Sequence, residues 1–139
     1  LYAGWAGQAG PVDLDIMAAA YTYPGADGAD QEFVEITAGA AYAIDNVTVD
    51  VRAWVSPDYY GSSGVSTYVE AGLAYAVTDR VSLDVRGGHS SFEDLPDADY
   101  SDYSAGVSYS RDAFTVSARH HWGSDDLESK WVVGLSRTF

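Results

Sequence analysis

The sequence has no cysteine, which excludes disulfide frameworks, thiolate metal sites and cysteine nucleophiles. Cationic residues are scarce: 7 Lys+Arg stand against 21 Asp+Glu, a formal net charge of -14 and a pI near 4.1. A surface of that sign repels phosphate, so no nucleic acid is expected as a partner. No apolar run approaches the ~18–20 residues of a membrane helix. The helical pattern of apolar residues at i, i+3, i+4 and i+7 is missing throughout. No nucleophile motif occurs, so no catalysis is expected, and no cofactor is expected either.

What is present is alternation. From Val47 to Ser56, Val47, Val49, Val51, Ala53 and Val55 point one way, while Thr48, Asp50, Arg52, Trp54 and Ser56 point the other. The same period of two runs through 66–77 and 81–92. It predicts further strands near 12–23, 33–44, 102–110, 113–122 and 130–139, and a shorter one at 1–9. Eight long strands and a ninth short one in 139 residues make a single all-β domain over 1–139. Strands of this length exceed the usual ~5–6 residues and match the ~9–11 that a tilted membrane-crossing strand needs. Tight turns at Asp45-Asn46, Thr78–Arg80 and Arg111-Asp112 alternate with longer loops at 24–32, 57–65, 93–101 and 123–129. Short turns at one end and long loops at the other describe an antiparallel up-and-down β-barrel of 8–9 strands crossing an outer membrane.

The alternative is a soluble lipocalin-like or β-sandwich binding domain, whose apolar face would be its core. Three features favour the membrane. The polar face carries Gly39, Gly72, Gly88, Gly106 and Gly134, and so many glycines weaken a solvated face but suit a confined lumen. Glu35, Asp50, Arg52, Glu70, Asp84, Arg86 and Arg119 lie on that same face as a lumen charge cluster. Aromatics of the apolar face gather at strand ends. Tyr42, Tyr75, Tyr109, Phe114 and Phe139 lie near the tight turns, and Tyr103, Trp122 and Trp131 towards the long loops. That is the pattern of two interfacial girdles around an aliphatic belt. The excess acids gather in or beside the long loops, among them Asp27, Asp30, Asp97, Asp99, Asp102, Asp125 and Asp126.

The segments PVDLDI, FVEITAGAAYAIDNVTVDV, SPDYYG, YVEAGLAYAV, VSLDVRGGHSSFED, DYSDYSAGVSYS and WVVGLSRTF together resemble the TorF-type porins of Gram-negative bacteria over nearly the whole chain. The resemblance implies an outer-membrane barrel of the porin type, with no catalytic or ligand residues to carry over. It also implies a signal peptide and further strands upstream of Leu1. The terminal run of Trp131, Val133, Leu135 and Phe139 looks like the signal presented to the barrel-assembly machinery.

Two readings of the lumen charges compete: a constriction that selects small solutes by charge, or an ion-pair network that plugs a narrow barrel. Glu70 is expected opposite Gly88 and diagonal to Arg86. Asp97, Asp99 and Asp102 are weak candidates for a divalent cation, which could also bridge the acidic loops to lipopolysaccharide. His121 shares a face with Ser117 and Arg119, and Asp125 and Asp126 follow in the next loop, but no nucleophile motif supports an enzyme. Trp54, Tyr68 and Phe92 lie on the lumen face near the long-loop rim, as mouth packing or as a stacking platform. With Phe139 periplasmic, nine strands leave an odd count. Either 12–139 closes as eight, with 130–139 pairing with 12–23, or the edge of 130–139 is covered by an upstream strand, a second copy or another chain. Outer-membrane lipid and lipopolysaccharide are the remaining expected partners.

Overall fold

Residues that tolerate a left-handed backbone sit where the chain must reverse. Gly10 (φ 61), Asp45 (φ 53) and Asp112 (φ 54) take it at three tight turns, and Asp is among the few non-glycine residues that do so at little cost. The fourth tight turn uses a side chain: Thr78 Oγ1 accepts from the N–H groups of Arg80 at 3.2 Å and Val81 at 3.0 Å. A computed structural model of the chain describes residues 1–24, 31–124 and 127–139.

Between the turns run β1 (Tyr2–Ala9), β2 (Val12–Tyr21), β3 (Phe33–Ile44), β4 (Val47–Ser56), β5 (Ser66–Ala76), β6 (Val81–Phe92), β7 (Tyr100–Arg111), β8 (Phe114–Gly123) and β9 (Lys130–Arg137). They form one sheet in chain order, every neighbouring pair antiparallel. The segment 1–9 is a full member, paired with β2 from Tyr2–Ala19 to Ala9–Val12. β2 is therefore flanked by β1 and β3, and β9 pairs with β8. The eight-strand closure of 130–139 onto 12–23 does not form, because β1 occupies that side of β2. The sheet is open, with β1 and β9 as its edges, and an odd strand count makes these edges run in the same direction. β7 begins at Tyr100 rather than 102, since Ser90 pairs with Tyr100 and the Ser101 N–H donates to Ser124 Oγ at 3.0 Å.

Burial follows strand parity. Ala19 is the one buried apolar residue among those described, whereas Thr37, Ser56, Ser66, Ser90 and Ser104 are buried polar residues. All six point to the face that carries Asp50 and Arg86. A single sheet buries one face without a second layer only by curling around it. The other face holds the aliphatic residues, and they stay uncovered: Val85 is 52% exposed, Leu135 73% and Val133 75%. A sheet of a water-soluble domain covers its apolar face and wets its polar one; here the apolar face is the open one.

Candidate functional site

The inner face is organised by a repeated triplet across three strands. Gly39 on β3 faces Asp15 on one side and Arg52 on the other. Gly72 on β5 faces Asp50 and Arg86, and Gly106 on β7 faces Asp84 and Arg119. The outer strands of each triplet lie about 9.6 Å apart, twice the ~4.8 Å strand spacing, so each guanidinium must cross the middle strand to meet its carboxylate. The glycine leaves that room. A Cβ at Gly39 would stand 2.8 Å from Arg52 Nη2, at Gly72 2.9 Å from Arg86 Nη2, and at Gly106 3.2 Å from Arg119 Nη2. The three crossings are made. Arg52 Nη2 donates to Asp15 Oδ1 at 2.5 Å, Arg86 Nη2 to Asp50 Oδ1 at 2.7 Å, and Arg119 Nη2 lies 2.5 Å from Asp84 Oδ2. Glu70, opposite Gly88, takes the other arm of Arg86, and Arg119 Nη1 donates to Ser104 Oγ at 2.9 Å. These groups are half-buried, and the guanidiniums lie along the wall. Among the described residues, the side-chain ion pairs of this layer join strands no more than two apart.

The expected charge cluster omitted Asp15, the partner of Arg52. The signal that finds it is an internal repeat: VTVDVR (47–52) and VSLDVR (81–86) align with FTVSAR (114–119) and VDLDIM (12–17). The strands between repeat Gly-x-x-Tyr, with Gly39 and Tyr42, Gly72 and Tyr75, Gly106 and Tyr109. At the two ends the charge drops out: Met17 stands at the arginine position and Ser117 at the aspartate position. The ladder is thus closed within β2 to β8.

Towards the long loops the inner face becomes aromatic. Trp54 is directly opposite Tyr68, with ring centroids 5.2 Å apart. The Tyr68 hydroxyl donates to Asp102 at 2.9 Å, so Asp102 belongs to the inner wall and not to a loop cluster. Tyr59, from the 57–65 loop, packs 4.7 Å from Phe33 and 5.8 Å from Phe92. Burial, and behind it the Glu35 carboxylate, push the Tyr59 phenol above its ordinary value. Glu35, Trp54, Tyr59, Tyr68, Phe92 and Tyr100 line a cavity of about 250 Å³.

The outer face places the remaining expected residues. Tyr103, Trp122 and Trp131 meet at the long-loop end, with centroids 6.1 Å apart for Tyr103–Trp122 and His120 set 4.8 Å from Trp131. Tyr42, Tyr75, Tyr109 and Phe114 lie near the tight turns. There Arg137 stacks over Phe114 at 5.3 Å and Phe139 at 4.9 Å. Val133 and Leu135 continue this outer face on the open edge β9.

Two weaker candidates do not assemble. Asp99 Oδ1 accepts the Phe92 N–H at 2.8 Å and Asp102 is held by Tyr68, so with Asp97 they form no common site; no group of three potential metal ligands occurs among the described residues. His121 and Ser117 share a face but stand four residues apart along β8, about 13 Å, beyond proton-transfer reach. Asp27, Asp30, Asp125 and Asp126 lie outside the described residues.

A family model described as a bacterial protein of unknown function, Gcw_chp, matches residues 1–139, and the chain belongs to that family. No curated protein and no solved structure matches it.

Proposed function

We propose that this member of the Gcw_chp family forms the wall of a transmembrane β-barrel in a Gram-negative outer membrane, and that the barrel passes small solutes along a charge-lined interior. The observation that carries the reading is the inverted burial: a continuous apolar outer face left open around a charged, glycine-rich inner face. Water-soluble monomers rarely expose apolar patches beyond a few hundred Å², and lipid is the solvent such a face suits. Strand tilt agrees. Along each even-numbered strand, the residues facing the two flanking glycines differ by two, as Arg52 and Asp50 do. With the repeated glycines set at one height around a barrel axis, a slip of two residues per two strand spacings gives a tilt of ~35°, within the usual range for membrane barrels of ~35–45°. The resemblance to TorF-type porins points the same way.

A pore is favoured over a plug by how the arginines lie. A plug needs side chains reaching across the lumen. The guanidiniums of this ladder run along the wall over glycines to carboxylates two strands away, rather than out across the lumen. Because β1 and β9 run in the same direction, antiparallel closure takes an odd number of further strands between them, from this polypeptide or from another chain; without them the edge amides would lie unpaired in lipid. The polypeptide refolded into detergent micelles together with the strands that close the sheet is expected to migrate differently before and after boiling, and to give discrete conductance steps in a planar bilayer. A heat-modifiable protein with no conductance supports the plugged barrel instead, and a protein that is monomeric and folded without detergent overturns the membrane reading.

A further inference from the structure

We infer that the aromatic cavity at the long-loop end of the inner face is a binding subsite for small organic cations of the alkylammonium or quaternary ammonium class. Five rings, those of Trp54, Tyr59, Tyr68, Phe92 and Tyr100, line the cavity together with one carboxylate, Glu35. The faces of aromatic rings attract cations, Trp most strongly, and the attraction grows when the site is desolvated. The site already shows this chemistry from below, where the Arg52 guanidinium sits 5.9 Å from the Trp54 ring.

The rings are held rather than loosely packed. Tyr68 is fixed at its hydroxyl by Asp102, and its ring end occupies the space a side chain at Gly88 would take. Tyr59 is wedged against Phe33 and Phe92. Glu35 shares the inward face of β3 with Thr37, and among the described residues no cationic side chain pairs with it. Every ladder carboxylate one layer deeper has a guanidinium partner. The Glu35 carboxylate is thus the charge the fold leaves for a guest, and no lysine or arginine lines the cavity. At about 250 Å³ the space falls below the ~300–1,000 Å³ of drug-sized pockets, which fits a compact head such as trimethylammonium. A neutral sugar would leave the carboxylate uncompensated, and an anion would meet it directly.

The subsite rests on the proposed function for its access route, but its occupancy is measured separately. Calorimetric titration of choline into the refolded protein in micelles, at fixed ionic strength, is expected to show saturable binding, with no heat from glucose or acetate. Glu35→Gln is expected to weaken choline at least about tenfold, the equivalent of one desolvated cation–π contact or charge pair. Trp54→Leu is expected to do the same, and Trp54→Phe to keep most of the affinity, which also shows that a changed ring does not simply unfold the wall. Absent choline binding, equal binding of glucose, or choline binding indifferent to Glu35→Gln and Trp54→Leu each overturns the inference. Conductance recorded on the same preparation separates the two claims: a conducting channel that ignores choline defeats the subsite alone, and choline binding without conductance defeats the pore alone.

Discussion

Replacing Gly72 by alanine pits the ion-pair ladder against intrinsic strand preference, and the two give opposite signs. In a strand interior, glycine costs roughly 0.5–1 kcal/mol relative to alanine, so Gly72→Ala ought to stabilise an ordinary strand. Here the new Cβ would stand 2.5 Å from Asp50 Oδ2 and 2.9 Å from Arg86 Nη2. Ordinary contact begins near 3.4 Å, so the guanidinium must lift off the wall and release Asp50. A hydrogen bond to a charged group contributes about 1.5–3 kcal/mol; less the alanine gain, the net loss is about 1–2 kcal/mol. Gly134 is the internal control. It holds the same repeat position, but the residue beside it is Ser117, and a Cβ there meets only the Ser117 hydroxyl at 2.8 Å, a rotor that turns away. Gly134→Ala is therefore expected to be neutral or stabilising by up to ~1 kcal/mol. The assay is reversible urea unfolding in micelles followed by tryptophan fluorescence. In an Arg86→Met background the Gly72→Ala penalty is expected to vanish, since there is no longer a guanidinium to displace. If Gly72→Ala stabilises the wild-type chain as Gly134→Ala does, the glycines are not there to pass the arginines, and the ladder argument fails.

Other expectations follow from the same geometry. Tyr68→Phe removes the donor to Asp102 and is expected to lower stability by about 1–3 kcal/mol, the cost of a charge-assisted hydrogen bond, read by urea unfolding; an unchanged midpoint contradicts that bond. Tyr59 has a raised pKa, so the folded state favours its neutral phenol: its contribution is fully present below about pH 10 and is lost as pH rises through the folded value. Late titration by absorbance near 295 nm that loses one tyrosine's amplitude in Tyr59→Phe is the expected signature. Trp122 and Trp131, left as fluorophores in turn, are expected to be quenched best by lipids brominated near the headgroup; strongest quenching at the bilayer centre removes them from the rim.

The strands were legible because period-two alternation survives in nearly every one, and so was the division of faces: Asp50 beside Val51 and Arg86 beside Val85 fix inward and outward by parity alone. Glu70 could be placed near Arg86 because the tight turn at Thr78–Arg80 sets the β5–β6 register. Asp15 was not legible by that route. Its pairing with Arg52 needs the β2–β3 register, and β2 and β3 are joined by a long connection whose residues do not fix it. The repeat of VTVDVR in VDLDIM holds the information, but it emerges only on comparing the chain with itself. The aromatic cavity was half legible: Trp54, Tyr68 and Phe92 share inward parity, whereas Tyr59 enters from a loop, where parity says nothing. The edge at β9 was legible only as a choice between pairings, since local pattern does not record which strand lies on the far side.

The central claim is that the aliphatic face meets lipid and the charged face meets water. The absence of cysteine allows a direct measurement: single cysteines at positions 49 to 52, spin-labelled in proteoliposomes and read by power-saturation EPR with oxygen as the lipid-soluble relaxant and a nickel chelate as the aqueous one. The account predicts alternation along β4, with Val49→Cys and Val51→Cys accessible to oxygen and Asp50→Cys and Arg52→Cys to the chelate. Chelate access at 49 and 51 with oxygen access at 50 and 52, or no alternation at all, would contradict it.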